Sequence, residues 1–137
     1  MEIPDPQYLE THDGAYIAYQ TVGDGPIDIA WQVEFGGNLD VWWELPWVRR
    51  WFEGLASFGR LILHDPRGVG LSSRNVPLPN LETRTDDLRA VLDEVDSASA
   101  VIGGWFEGLA PGVLLAAGDP ARVRALVWWN PLPRTAW

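Results

Sequence analysis

The chain contains no cysteine, which excludes disulfides, thiol nucleophiles and thiolate metal sites. Its ten basic residues are all arginine, so Schiff-base chemistry has no lysine to use. Only two histidines are present, His12 and His64, too far apart in sequence to make a metal site by spacing, and no metal is expected. Positive charge is scarce: 10 basic against 19 acidic residues leave a net charge of -9, which argues against nucleic acid or an anionic membrane as a partner. No apolar run approaches the roughly 20 residues that a membrane-spanning helix needs. The opening Met1-Glu2-Ile3-Pro4-Asp5 lacks the apolar core of a signal peptide, so the cytoplasm is the expected location. The glycines of Arg67-Gly68-Val69-Gly70 are not followed by the residues of a phosphate-binding loop, and no cofactor is expected.

What is present is a core's worth of apolar residues, 47% of 137, a length that suits one domain. Nine tryptophans are many for this length. They read either as bulky filler of core and interfaces or as the walls of an aromatic ligand pocket.

Taken in order, residues 7–11 and 15–22 alternate as two strands joined by the tight turn His12-Asp13-Gly14. Residues 27–33 form a nearly continuous apolar strand of the buried parallel kind. A helix is expected over 42–57, with Trp47, Trp51, Leu55 and Phe58 as its apolar stripe and Pro46 near its start. A short strand at 60–64 leads into Asp65-Pro66-Arg67-Gly68-Val69-Gly70-Leu71-Ser72, and a helix at 83–95 buries Leu88, Val91, Leu92 and Val95. Strands at 99–102 and 124–129 flank a helix at 109–117. The hexapeptide Trp-Phe-Glu-Gly-Leu-Ala occurs at Trp51 and again at Trp105, but with different flanks and in different elements, so it reads as coincidence.

The chain is organised around Gly104-Trp105-Phe106-Glu107-Gly108. A strand, Gly-x-residue-x-Gly and a small-residue helix are the layout of a nucleophile elbow, in which a sharp turn thrusts the central residue outward. A working elbow carries Ser, Cys or Asp there; this chain carries Phe106.

The order of elements, Asp65-x-Arg67-Gly68-x-Gly70-x-Ser72 and the elbow together resemble the α/β-hydrolase superfamily. Residues 17–20, 55–72 and 122–127 further resemble bacterial hydrolases that carry "IAYQ", "LASF-x-RLI-x-x-D-x-RG-x-GLS" and "RVRALV". The resemblance implies an α/β fold: a shortened three-layer sandwich whose mostly parallel sheet of about six strands carries helices on both faces. It implies one domain over 1–137, without the family's cap and without the later segment that brings the acid and histidine. It also implies losses. The nucleophile position is Phe106, the oxyanion loop reads Val33-Glu34-Phe35 where the family has His-Gly or Pro-Gly, and no histidine follows Phe106. A carboxylate at Glu34 would repel a developing oxyanion.

The function expected is therefore a non-catalytic module that binds a small apolar or aromatic molecule, or that oligomerises. Phe35, Trp105, Phe106 and Asn130 are its candidate pocket residues. If chemistry occurs, it is unconventional ester hydrolysis by Glu107, Glu34 or His64, with Asp65 a further candidate and the site completed across a dimer. The simpler readings are that Glu107 is a carboxylate favoured at a helix N-terminus, that Asp65 and Arg67 hold their loop, and that His64 makes a structural hydrogen bond. The strand 124–129 would be a sheet edge, so Val127, Trp128 and Trp129 are expected to pair or pack with a second copy of the chain. A piece of a larger hydrolase is a further alternative.

Overall fold

The computed structural model describes residues 1–33 and 37–131. Glu34 and Phe35, named above as candidate catalytic and pocket residues, lie outside the described residues. Among the described residues there are six strands: β1 (Gln7–Glu10), β2 (Tyr16–Val22), β3 (Asp28–Gln32), β4 (Arg60–His64), β5 (Ala100–Trp105) and β6 (Val123–Trp129). The helices are α1 (Leu39–Glu44), α2 (Pro46–Ala56), α3 (Leu81–Glu94) and α4 (Ala110–Gly118). The sheet order is β1-β2-β4-β3-β5-β6. The β1/β2 and β2/β4 pairs are antiparallel, whereas β4, β3, β5 and β6 run parallel.

Period-two alternation divides the core into two layers. Ile29, Trp31, Leu61 and Leu63 face α1 and α2, where they meet Leu39, Trp43, Val48 and Phe52. Ala30, Ile62 and Ile102 face the other way, toward Leu88, Val91 and Leu92 of α3 and Leu115 of α4. Helices thus cover both faces, as a mostly parallel sheet requires.

The single helix expected over 42–57 is two. Pro46 has no N–H and disfavours helical backbone in the residue before it, so Leu45 is extended (φ -83, ψ 114) and α2 restarts with the proline in its first turn. Asn38 starts α1 earlier than expected by accepting hydrogen bonds from the amides of Asp40 (3.0 Å) and Val41 (3.3 Å). Asn80 does the same for α3 through Thr83 N (2.8 Å), which places that start at Leu81.

Strand β5 runs past the expected end at Ile102 to Trp105, through two glycines. Gly103 explains why. It pairs in register with Trp31, and a Cβ there would sit 2.3 Å from the Trp31 ring, so the bare backbone is the floor on which that indole lies. On the opposite face a Cβ at Gly112 would meet Ile102 Cγ2 at 2.6 Å, which lets α4 press close to the sheet.

Buried charge fastens the periphery. Arg67 donates to Asp87 of α3 (3.0 and 2.7 Å) and to Asp13 of the β1–β2 turn. Asp13 is thereby held far below the ordinary carboxylate range and Arg67 is raised, both through their shared hydrogen bonds. Among the described residues no helix is long and apolar enough to cross a membrane.

Candidate functional site: an aromatic cavity at the elbow

At the carboxyl end of β5 the chain reverses through Phe106, whose φ of 48° is left-handed backbone on a residue with a bulky side chain. Such a conformation costs on the order of 1–3 kcal/mol and persists only where the surroundings enforce it. Here β6 enforces it from the side. Phe106 N donates to the Trp129 carbonyl (3.1 Å), and the Phe106 carbonyl accepts from the indole Nε1 of Trp128. Gly108 N closes the turn on the Trp105 carbonyl (2.8 Å), and Ala110 N does so on Glu107 O (3.0 Å). Gly104 and Gly108 permit this: a Cβ on either would come within 3.0 Å of backbone atoms, Leu109 N and Trp105 O respectively. The elbow is built as its motif requires, with a phenyl ring at the nucleophile's place.

Around that ring lies a cavity of about 530 Å³ lined, among the described residues, by Trp42, Trp47, Trp51, Trp105, Phe106 and Trp129. Trp105 and Trp129 end adjacent parallel strands, so the cavity opens at the carboxyl ends of the sheet, where open α/β sheets bind ligands. Trp47 stands 5.6 Å and Trp42 5.8 Å, centroid to centroid, from Trp105, and Trp51 meets Trp129 edge-on at 5.1 Å. Behind them Trp31, only 2% exposed, contacts both Trp51 (5.2 Å) and Trp105 (5.4 Å) and braces the wall from the core.

The other sequence candidates are placed as follows. Glu107 does not stand as an unpaired base: its Oε2 accepts from Arg84 Nη1 at 2.7 Å, with both side chains largely buried. His64 lines a separate cavity of about 10 Å³ with Gln32, Arg67, Arg84 and Asp87, room for roughly one water molecule. Burial pushes its pKa down to about 4, with the Arg84 charge adding to the shift, so its imidazole is neutral at pH 7. Asp65 is fully buried; its Oδ2 accepts from the amides of Leu71 (2.8 Å) and Leu39 (3.2 Å), and burial raises its pKa. It holds its loop, as Arg67 does, although the two do not pair with each other. His12 is exposed in its turn.

Asn130 is exposed and is not among the described lining residues. Val127 is 45% exposed on the edge strand β6. Trp128 departs from the expected outward edge: it is part-buried against the α3/α4 layer and spends its N–H on the elbow. Trp129 is 55% exposed yet is a cavity wall. Sequence reasoning found Trp105 and Phe106 but took Trp47 and Trp51 for a core-facing stripe and gave Trp42 no role. The signal was available in principle, since four indoles on the 16-residue stretch 42–57 exceed what a helix of this length needs to seal a sheet. Among the described residues no cluster of His, Asp or Glu is arranged to hold a metal ion.

No protein-family model matches the chain. A protein of Azorhizobium caulinodans provisionally named carbamate hydrolase RutD is 29% identical over 119 residues, covering 87% of this chain and 43% of that protein. The crystal structure of a hydrolase from Pseudomonas aeruginosa superposes with a TM-score of 0.82 at 27% identity, covering 93% of this chain and 46% of that one. An α/β hydrolase from Sphaerobacter thermophilus gives a TM-score of 0.75 at 25% identity, covering 91% and 45%. The chain thus spans a little under half the length of the proteins it matches. The chain thus shares its fold with these hydrolases and resembles them in sequence, which supports a relationship to the α/β-hydrolase superfamily.

Proposed function

We propose that the chain binds a small, largely apolar molecule in the aromatic cavity at the elbow, with Phe106 serving as a wall of the site rather than as a reacting group. The observation that carries this reading is the cavity itself: about 530 Å³, within the range of small-molecule sites, and walled by five tryptophans and a phenylalanine. The strained backbone of Phe106 supports it, since strain retained at a site argues that the side chain's direction is used. A phenyl ring has no group that can attack a carbonyl, so the elbow's geometry serves binding.

The test is a fluorescence titration of the chain with the neutral dye N-phenyl-1-naphthylamine. The reading expects saturable binding of one dye per chain, weakened at least severalfold in Trp47→Ala, whose exposed side chain can be removed without emptying the core. Binding that does not saturate, or that ignores Trp47→Ala, would refute it.

A second reading, ester-type hydrolysis, is supported by the relatives, two of which are named as hydrolases and a third provisionally so. It would draw on Glu107 or His64, with a partner copy completing the site. Turnover of p-nitrophenyl acetate above buffer that disappears in Glu107→Gln or His64→Ala would favour it over the binding reading.

Self-association is part of the proposal. Strand β6 pairs only with β5 among the described residues and exposes Leu126, Val127 and Trp129, an apolar edge of the kind that templates strand pairing. Light scattering at micromolar concentration should report a dimer or larger species; a monomer would set this part aside.

A further inference from the structure

We propose that the molecule held in the aromatic cavity carries a permanent positive charge as an alkylated ammonium group; this deepens, and rests on, the reading of the cavity as a ligand site. Three observations converge on it. The first is the chemistry of the wall. Among the described residues none that lines the cavity is charged, and the indole nitrogens of Trp42 and Trp51 are sealed from solvent, so those two rings offer the cavity carbon and π density rather than hydrogen-bond donors. Tryptophan has the most favourable ring face for a cation, and an alkylated ammonium loses little hydration on entering such a cage because its charge is spread over methyl groups.

The second is ring geometry. Parallel rings would leave a slot that only a flat molecule fills. The lining rings that touch are steeply inclined instead, at 44° for Trp42 against Trp105, 58° for Trp47 against Trp105 and 81° for Trp51 against Trp129. Inclined faces make a box, which matches a rounded head such as trimethylammonium better than a planar ring.

The third is the field. The chain carries a net charge of -9. Helix α1, which supplies Trp42, bears Asp40 and Glu44 and no basic residue. Of the arginines nearby, Arg49 of α2 pairs with Glu53 at 2.9 Å and Arg84 with Glu107, the neighbour of Phe106, at 2.7 Å, while Arg50, next to Trp51, is exposed to solvent. An approaching cation is attracted and an anion repelled.

The test compares three probes of one shape: benzyltrimethylammonium, its neutral isostere neopentylbenzene, and the anion phenylmethanesulfonate, each competing with N-phenyl-1-naphthylamine for the full chain. The cation should displace the dye at concentrations about 3- to 30-fold lower than the isostere does, the range that cation–π contacts span. The anion should be weaker than both. Trp47→Leu keeps apolar bulk and removes a π face, so it should shrink the cation's advantage while changing the isostere's affinity less than about twofold; Trp129→Leu, on β6, should behave alike. A neutral isostere that binds as tightly as the cation, or failure of both to displace a bound dye, overturns the charge and leaves the cavity reading standing. Absence of dye binding as well defeats both.

Discussion

Placing one methyl group on Gly103 tests whether the aromatic wall is rigid. The alanine Cβ would lie 2.3 Å from Cε3 and Cζ3 of Trp31, where carbon–carbon contact is comfortable only at about 3.5–4.0 Å. The indole would have to withdraw by more than about 1 Å, and it has nowhere to go. Trp31 is 2% exposed and is flanked by Trp51 at 5.2 Å and Trp105 at 5.4 Å, both of which are cavity walls. Overpacking of a filled core costs roughly 1–3 kcal/mol, and so severe an overlap belongs at the upper end. Removing a glycine from a strand returns roughly 0.5–1 kcal/mol, leaving a net loss of about 2 kcal/mol for Gly103→Ala. With a urea m-value on the order of 2 kcal/mol/M, the unfolding midpoint should fall by about 1 M. The same substitution made in a Trp31→Leu background should cost less than about 0.5 kcal/mol, because the ring it strikes is gone. An equal cost in both backgrounds, or a Gly103→Ala midpoint that matches the parent, would refute the claim that Trp31 lies against bare backbone and braces the cavity.

Three further outcomes follow from buried polar groups. His64 has a folded pKa of about 4, below its ordinary 6.5, so the unfolded chain takes up the proton first and stability falls as pH drops through that window. Relative to pH 7.5, the loss due to His64 at pH 5 is roughly 2 kcal/mol. His64→Gln should therefore have the shallower pH dependence in urea titrations, and parallel slopes would contradict the assignment. Arg67→Met strands Asp87, which is 2% exposed, and should cost about 3–5 kcal/mol in the same assay; a loss below about 1 kcal/mol would mean that the Arg67 bridge does not fasten α3. Trp128→Phe keeps a ring and removes the donor to the Phe106 carbonyl, so amide exchange at Phe106 should accelerate about tenfold; unchanged protection would show that β6 does not hold the elbow.

Much of this architecture was legible in the residues. Strand β4 falls where its apolar run predicts, and the elbow announces itself through Gly104 and Gly108, because few other arrangements need two bare Cα atoms two residues either side of a bulky one. What escaped depended on contacts between distant segments. The end of β5 could not be read from Gly103, a poor strand residue, without knowing that Trp31 covers it. The break at Leu45 was written in Pro46 but weighed too lightly. The opposite fates of Trp128 and Trp129 follow from strand alternation, which faces one toward α3 and α4 and the other toward the cavity; treating the edge as one surface hid it. That Trp42, Trp47 and Trp51 look across at Phe106 is a property of helix placement over the sheet, which no local pattern encodes.

The most direct test of the central claim, a small-molecule site at the elbow, is an NMR titration that follows the tryptophan indole N–H signals as N-phenyl-1-naphthylamine is added. The account predicts saturable shifts for Trp42, Trp47, Trp51, Trp105 and Trp129, with the Trp43 signal nearly still because its N–H is held by Gln20 Oε1 at 2.9 Å away from the cavity lining. Shifts confined to other tryptophans, or none at saturating dye, would contradict it.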